Sequence, residues 1–597
     1  MTVYRIALPL FAALACAPPR SARAPDDARA RVLDEATVGV DDAALRDILR
    51  AHWAWTLEQS PLWATKLGVH EYDDRLGDGS EAAHAARARM RRDFLARLAK
   101  LDPTQLSARD RLTHAIITND LSADVREEVC AFERWRVSAS TNPIEHYNEI
   151  ARIHPMTAPR AAETLLARVG AIPKGIDDEI AALRRGAQQG RVADAESIRR
   201  VIAMVDGQLA TATAKWALFE PAAKIADAKA RAALAKVLDD DVRPAFGRYR
   251  ALLHDELLPK ARPPDRAGMH ALPDGDACYA AVIERHTTLP LTAKDVHARG
   301  LAEIARIDAE IAALGAKALG TTDLPSTLAK LRSDPALYFD SAESIEATAR
   351  DALARAQAAI PRFFGRLPQT PCVVTRVPDY KAAFTTIAYY EPAHTDGSKP
   401  GEYVVNVLDP QTRPRYEARV LAVHESIPGH HLQIAIAQEL TELPTVRRHA
   451  GHSAFVEGWA LYTERLADEM GLYDTDLDRL GMLSFDAWRA SRLVVDTGIH
   501  ALGWSRAQAE QFMLEHTALA PNNIGNEVDR YVGWPGQALA YKIGQLELLA
   551  LREEAEAALG ERFSLPAFHD AVLGGGAMPL PALRDRVRAE LGITRAQ

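Results

Sequence analysis

At 597 residues the chain is long enough to bury a substantial core and to hold more than one domain. Hydrophobic residues make up 48% and charged residues 26%, the balance of a water-soluble globular protein, and the wealth of alanine and leucine over aromatics favours helix. The net charge of −9 provides no basic surface to neutralise phosphates, and no local lysine or arginine cluster compensates, so nucleic acid is excluded as a partner.

The chain opens with Arg5 and the short apolar run IALPLFAALA, which stops at Cys16 and gives way to APPRSARAPDDARAR. This pattern over residues 1–16 reads as a secretory signal, too short to span a bilayer. The ALAC stretch resembles a lipobox that would lipidate Cys16, with Ala13 where leucine is usual; cleavage after Ala13-Leu14-Ala15 is the alternative. An exported protein is expected, periplasmic or anchored to the membrane by lipid. Residues 17–40 read as a polar linker, and 41–597 as a single helical domain, with two subdomains flanking a cleft as a variant.

Apolar periodicity near 3.6 then dominates, as in AALRDILRAHWAWTLEQ, HAARARMRRDFLARLAKL, AETLLARVGAIPKGIDDEIAALRRG and ARGLAEIARIDAEIAAL, which predicts amphipathic helices with solvated charged faces. Cys130, Cys278 and Cys372 are odd in number and far apart, and are expected to be free buried thiols. Residues 371–408 break the pattern. Their runs CVVTRV, FTTIAYY and EYVVNV are β-branched and aromatic, the turn-forming DGSKPG divides the last two, and a small sheet is predicted there.

Directly after that sheet comes HESIPGHH, residues 424–431, between the helical halves RPRYEARVLAVHE and HLQIAIAQEL. In a straight helix of about 100° per residue, His431 would lie about 20° from His424 and His430 about 120° away. Pro428-Gly429 interrupts the ladder, however, and a kink or bulge turns the face by a whole step, so either histidine could join His424. A catalytic zinc takes three protein ligands and keeps one position open. The third candidate is Glu457 in HSAFVEGWALYTERLADEMGLY, on a helix able to run antiparallel to the first. Glu425 is then free to serve as general base for a water activated by zinc.

Farther on, DRYVGWPGQALAYKIG offers donors for a developing oxyanion: Arg530, Tyr531, Gln537, Tyr541 and Lys542. Tyr541, on the helix beyond Pro535, is the first choice and Tyr531 the second. Arg489, Asp496 and His500 precede them, with His500 expected to contact substrate. For each of these, a buried hydrogen-bonded side chain is an equally good reading.

The stretches HESIPGHHLQ and FVEGWALYTERL, with DGSKPGEYVVNV before and RYVGWPGQALAYKIGQLELLALRE after, resemble a family of bacterial secreted or lipid-anchored proteins known as domain of unknown function 885. The resemblance runs from SPLWATKLGVHEYDDRLGD near residue 60 to the end. That family is in turn similar to the mainly helical gluzincin peptidases, such as thimet oligopeptidase, angiotensin-converting enzyme and the thermophilic carboxypeptidases. Those carry H-E-x-x-H plus a glutamate on the next helix; here two extra residues part the histidines. The resemblance selects His430, and so implies a zinc held by His424, His430 and Glu457. It implies a large, mainly α, zincin-like fold with a central cleft and a small sheet beside the metal helix. The expected function is a zinc metallopeptidase of the cell envelope acting on a peptide or small amide. A hydrolase of another amide or ester, and an exported binding protein without chemistry, are the alternatives.

Overall fold

The structure is a computed structural model describing residues 25–158, 160–378, 382, 386–393 and 399–593. The signal over 1–16, Cys16 and the start of the linker lie outside the described residues, as do parts of FTTIAYY and DGSKPG. Helix accounts for 72% of the chain and strand for 4%, so the fold is mainly α, as expected.

The helices that position the candidate site are, in chain order, α1 (Ala108–Glu127), α2 (Gly275–Thr287), α3 (Ala293–Leu319), α4 (Ala418–Glu425), α5 (His430–Glu439), α6 (Ser453–Glu469), α7 (Asp476–Ala501), α8 (Pro521–Gly533) and α9 (Leu539–Leu559). Their ends follow ordinary capping chemistry. Ser107 accepts the Asp110 amide at the start of α1, and reciprocal caps Thr292/Asp295 and Thr475/Asp478 open α3 and α7. Helix α3 stops at Gly320, whose φ of +67° suits a residue without Cβ.

One large core takes in α1 to α7, α9 and the sheet, with Trp459, Tyr462, Phe455 and Leu493 at its centre. The helices between Pro143 and Leu257 enclose a second core, in which Ile172, Ile176, Ile180 and Leu183 recur at helical spacing. Long helices α3 and α7 pack closely because Gly300 faces α7: a Cβ there would stand 2.7 Å from Val494 Cγ2. A buried ionic cluster binds the bundle together. Lys542 of α9, fully buried, donates to Asp486 of α7 at 2.6 Å and lies 2.9 Å from Glu303 of α3, while Arg465 of α6 reaches the other oxygen of Asp486 at 2.6 Å.

The predicted sheet is present. Its strands β1 (Cys372–Arg376), β2 (Ala388–Glu391) and β3 (Gly401–Val405) lie in the order β1-β3-β2. Strand β3 pairs parallel with β1, Cys372 opposite Gly401, and antiparallel with β2, Tyr390 opposite Tyr403.

The expectation of three free thiols is corrected: Cys130 and Cys278 form a disulfide across 148 positions of sequence. The turn after α1 packs against α2, and chain spacing gives no hint of that juxtaposition. Among the described residues Cys372 alone is free, and burial pushes its thiol up to about 12.

Candidate metal centre

Helix α4 ends at Glu425 and α5 begins at His430, so the Pro-Gly segment parts two helices. The Ile427–Pro428 peptide is cis. Gly429 lies flat against the end of α4, its amide donating to the Val423 carbonyl at 3.0 Å. A Cβ there would stand 2.1 Å from the His424 carbonyl oxygen, so only glycine lets the chain fold back so tightly. The turn is pinned from α6 by Trp459, whose indole N–H donates to the Pro428 carbonyl at 2.9 Å.

This turn decides between the two histidines. His430 faces His424, with ring centroids 4.8 Å apart and planes at 87°. His431 points to the sheet, where Tyr390 donates its hydroxyl to Nδ1 at 3.1 Å and Nε2 donates to the Thr370 carbonyl at 3.1 Å. Burial lowers the His431 pKa to about 4, which keeps it neutral in that role.

Glu457 enters from the first turns of α6. Its Oε2 lies 3.4 Å from His430 Nε2 and 3.9 Å from His424 Nε2, and one ligand atom of each residue falls within 4.8 Å of the others. Donors of a tetrahedral site with bonds of about 2.1 Å stand about 3.4 Å apart, so the set fits a small divalent ion. Two further observations agree. Glu457 Oε2 is buried without a hydrogen-bond partner, and the donor set of two imidazoles and a carboxylate is one that zinc accepts.

A second carboxylate, unforeseen from the sequence, completes the centre. Glu464 Oε1 accepts from His424 Nδ1 at 2.7 Å, which fixes the tautomer and aims Nε2 at the cluster. It sits seven residues after Glu457, nearly two helical turns on, and that spacing was its only sequence signal. Burial raises the Glu464 carboxyl to about 8 against the pull of Arg489, whose Nη2 is 4.0 Å away. Arg489 is 4% exposed, stacked on Phe485 and Trp488, with Nε and Nη1 unpartnered.

The electrostatics divide the roles. Burial, and secondarily His430, hold His424 well below its usual pKa, leaving a neutral imidazole. Glu457 is lowered, because His430, Tyr541 and Arg530 outweigh its burial. Glu425 is raised to about 7 by burial, with Glu457 adding to the effect. It is thus suited to hold and release a proton near neutrality.

The remaining candidates separate. Tyr541 lies beside Glu457, with Arg530 Nη2 at 3.4 Å from its hydroxyl and the Arg492 guanidinium over its ring. Arg530 acts on Glu457 as well and donates to Gln537 at 2.8 Å, so Arg530 joins Tyr541 beside the centre with Gln537 holding it from behind. The others do not reach it. Tyr531 donates its hydroxyl to Glu527 at 2.8 Å and accepts from Arg492 and Trp488, which ties α7 to α8. His500 is fully buried, with both ring nitrogens taken by backbone, the Met269 amide and the Tyr531 carbonyl, so it stands away from any substrate. Asp496 accepts from Tyr279 and the Gly536 amide, and Lys542 belongs to the ionic cluster.

The chain belongs to the family of bacterial proteins of unknown function designated DUF885, whose profile matches residues 61–587. Its fold is similar to that of a presumed lipoprotein from Colwellia psychrerythraea, with TM-score 0.85 and 24% identity over 95% of this chain and 99% of that one. A presumed lipoprotein of unknown function from Shewanella oneidensis is similar at TM-score 0.74 and 20% identity, over 91% and 99% of the respective chains. No curated protein matches the chain.

Proposed function

We propose that the protein is a metal-dependent hydrolase of peptide bonds that works in the cell envelope. The observation that carries this reading is the convergence of His424, His430 and Glu457 ligand atoms within 4.8 Å of one another, with Glu425 alongside. His424, His430 and Glu457 would hold the ion, zinc being the first choice, and when bound it would supply Lewis acidity that acidifies water and polarises a carbonyl.

The protein's own groups account for the proton traffic. Glu425 accepts a proton from water as its oxygen bonds to the carbonyl carbon. The Tyr541 hydroxyl donates to the oxyanion that forms, and Arg530 beside it adds positive charge. When the C–N bond breaks, Glu425 returns the proton to the leaving nitrogen. A peptide is favoured as substrate because β2, which among the described residues pairs only with β3, packs against α4 and leaves an edge on which an extended backbone can align.

Export is supported by the Cys130–Cys278 disulfide, a bond that persists in oxidising compartments. No helix among the described residues is long and apolar enough to cross a membrane, so attachment would rest on lipid at Cys16. Relatives labelled as presumed lipoproteins agree.

Absorption at the zinc edge of the purified protein, together with a mixed peptide library read by mass spectrometry, tests the proposal. The expected result is one ion per chain with two nitrogen ligands and a carboxylate, and cleavage that Glu425→Gln slows at least about a hundredfold. Full cleavage by that variant, or by metal-free protein, would overturn it.

A further inference from the structure

A cavity of about 260 Å³ lies between α1, α2 and the start of α6. Its wall includes Asn119, Asp120, Arg285, His286, His452 and Ser453. None of these belongs to the metal centre. Ser453 of the cavity wall and Glu457 of the centre stand four residues apart on α6, about 6 Å along its axis.

One carboxylate at the cavity stands apart from the ion pairs around it. Asp124 is neutralised twice, by Arg285 at 2.7 Å and by Arg91 at 3.3 Å. Arg285 turns its remaining donors to Glu127 and to the Asp120 backbone carbonyl. The Asp120 carboxylate, about one-third exposed, has no lysine or arginine partner among the described residues. It faces the Asn119 amide at 3.5 Å and His452 Nδ1 at 3.6 Å. His452 is itself more than nine-tenths buried, and its Nε2 has no hydrogen-bond partner. Burial lowers the pKa of His452, and takes His52 to about 4 and His286 to about 3, so the imidazoles around the cavity are neutral and offer lone pairs instead of charge. With Arg285 engaged by Asp124, Glu127 and the Asp120 carbonyl, the wall keeps one carboxylate without an ion-pair partner of Lys or Arg among the described residues and one buried ring nitrogen, His452 Nε2, without a hydrogen-bond partner.

We propose that this cavity is a recognition site for a primary ammonium group of the substrate, with Asp120 as its counter-charge and His452 Nε2 as a second acceptor. The inference rests on the peptidase reading for its place in catalysis: an ammonium seated here sets the scissile carbonyl within the first few residues of the group it recognises. Two sources share the chemistry, the free amino end of a peptide and a lysine side chain.

The site is tested by calorimetry on the full, metal-loaded protein with L-alaninamide, n-butylamine and N-acetyl-L-alanine. Saturable binding of an amine is expected, weakened at least about tenfold in Asp120→Asn and also reduced in His452→Gln. Tighter binding of alaninamide assigns the peptide terminus, and tighter binding of butylamine assigns the side chain. Equal affinity in Asp120→Asn, no saturable binding of either amine, or N-acetylalanine binding that depends on Asp120 would each overturn the proposal. Asp120 makes no short bond that folding needs, and an unchanged melting curve verifies this for the variant. In parallel, the peptide library is offered free and N-acetylated. If the amino end is the ligand, acetylation lowers kcat/KM at least about tenfold in the wild type and has no effect in Asp120→Asn. Should the wild type cleave neither library, the peptidase reading falls, while the calorimetry still decides the ammonium site.

Discussion

His430 and His431 are neighbours in the chain, yet the turn at Gly429 sends one ring to Glu457 and the other to Tyr390 and Thr370. Their substitutions should therefore separate two properties. His430→Ala removes a ligand and is expected to abolish stoichiometric metal, measured by elemental analysis after dialysis. His431→Ala leaves the cluster intact but strips a fully buried ring with two hydrogen bonds, and should cost about 2–4 kcal/mol of stability while metal is retained. Glu464 acts at one remove. It accepts from His424 Nδ1, so Glu464→Gln should weaken metal affinity by about 10–100-fold in a chelator competition. Unaltered affinity in that variant would mean that packing alone orients His424.

At the scale of elements, the centre depends on how closely α6 and α9 cross. Gly458 and Gly544 meet at the crossing: a Cβ on Gly458 would stand 2.5 Å from the Gly544 backbone, and one on Gly544 would stand 1.9 Å from the Ala454 carbonyl oxygen. That contact sets Glu457, the preceding residue of α6, against Tyr541, three residues before Gly544 on α9. Because the opposing atoms are backbone, Gly458→Ala can be absorbed only by separating the helices. It should lower stability by about 1–3 kcal/mol and slow turnover through the displaced hydroxyl, in excess of any change in metal content. Melting, metal analysis and kcat on one preparation distinguish these; full turnover at reduced stability would remove Tyr541 from the reaction. Helix crossings of this kind have little trace in a sequence. The periodic pattern announced the helices, and β-branched runs announced β1 to β3, because those signals are local. The choice of His430 over His431 depends on Gly429 lying flat on the end of α4, a backbone conformation that straight-helix geometry misjudges. Glu464 shares a face with Glu457, but a second acid two turns along a helix is commonplace in a sequence, and only the fold shows that it holds His424. The pairing of Cys130 with Cys278 is illegible for a simpler reason: they stand 148 positions apart, and their proximity exists only after the chain between them has folded.

Over the whole molecule, two buried acids of α7 respond to folding in opposite ways. Asp486 is held well below the usual carboxylate range, since Lys542 and Arg465 outweigh its burial. Asp496 has no cation in contact among the described residues. It accepts from the Tyr279 hydroxyl at 2.7 Å and the Gly536 amide at 3.1 Å, and burial pushes its pKa up to about 7. Below about pH 4 both the folded and the unfolded chain keep this proton, so Asp496 adds no pH dependence there. As the pH rises from about 4 to 7, the unfolded chain releases the proton and the folded chain retains it, so stability falls and then levels off once the folded carboxyl ionises. A shift of about three units corresponds to a ceiling near 4 kcal/mol, and full burial leaves little solvent to reduce it. Asp496→Asn keeps an acceptor for Tyr279 and has nothing to titrate. Relative to the wild type it should be neutral or slightly destabilised at pH 5, gain up to about pH 7 and then level off, by about 2–4 kcal/mol between pH 5 and 8. Thermal melts of the two proteins between those limits measure the difference directly. Parallel curves would mean that Asp496 is already ionised in the fold at pH 5, with Arg492 reaching it electrostatically more strongly than burial opposes it.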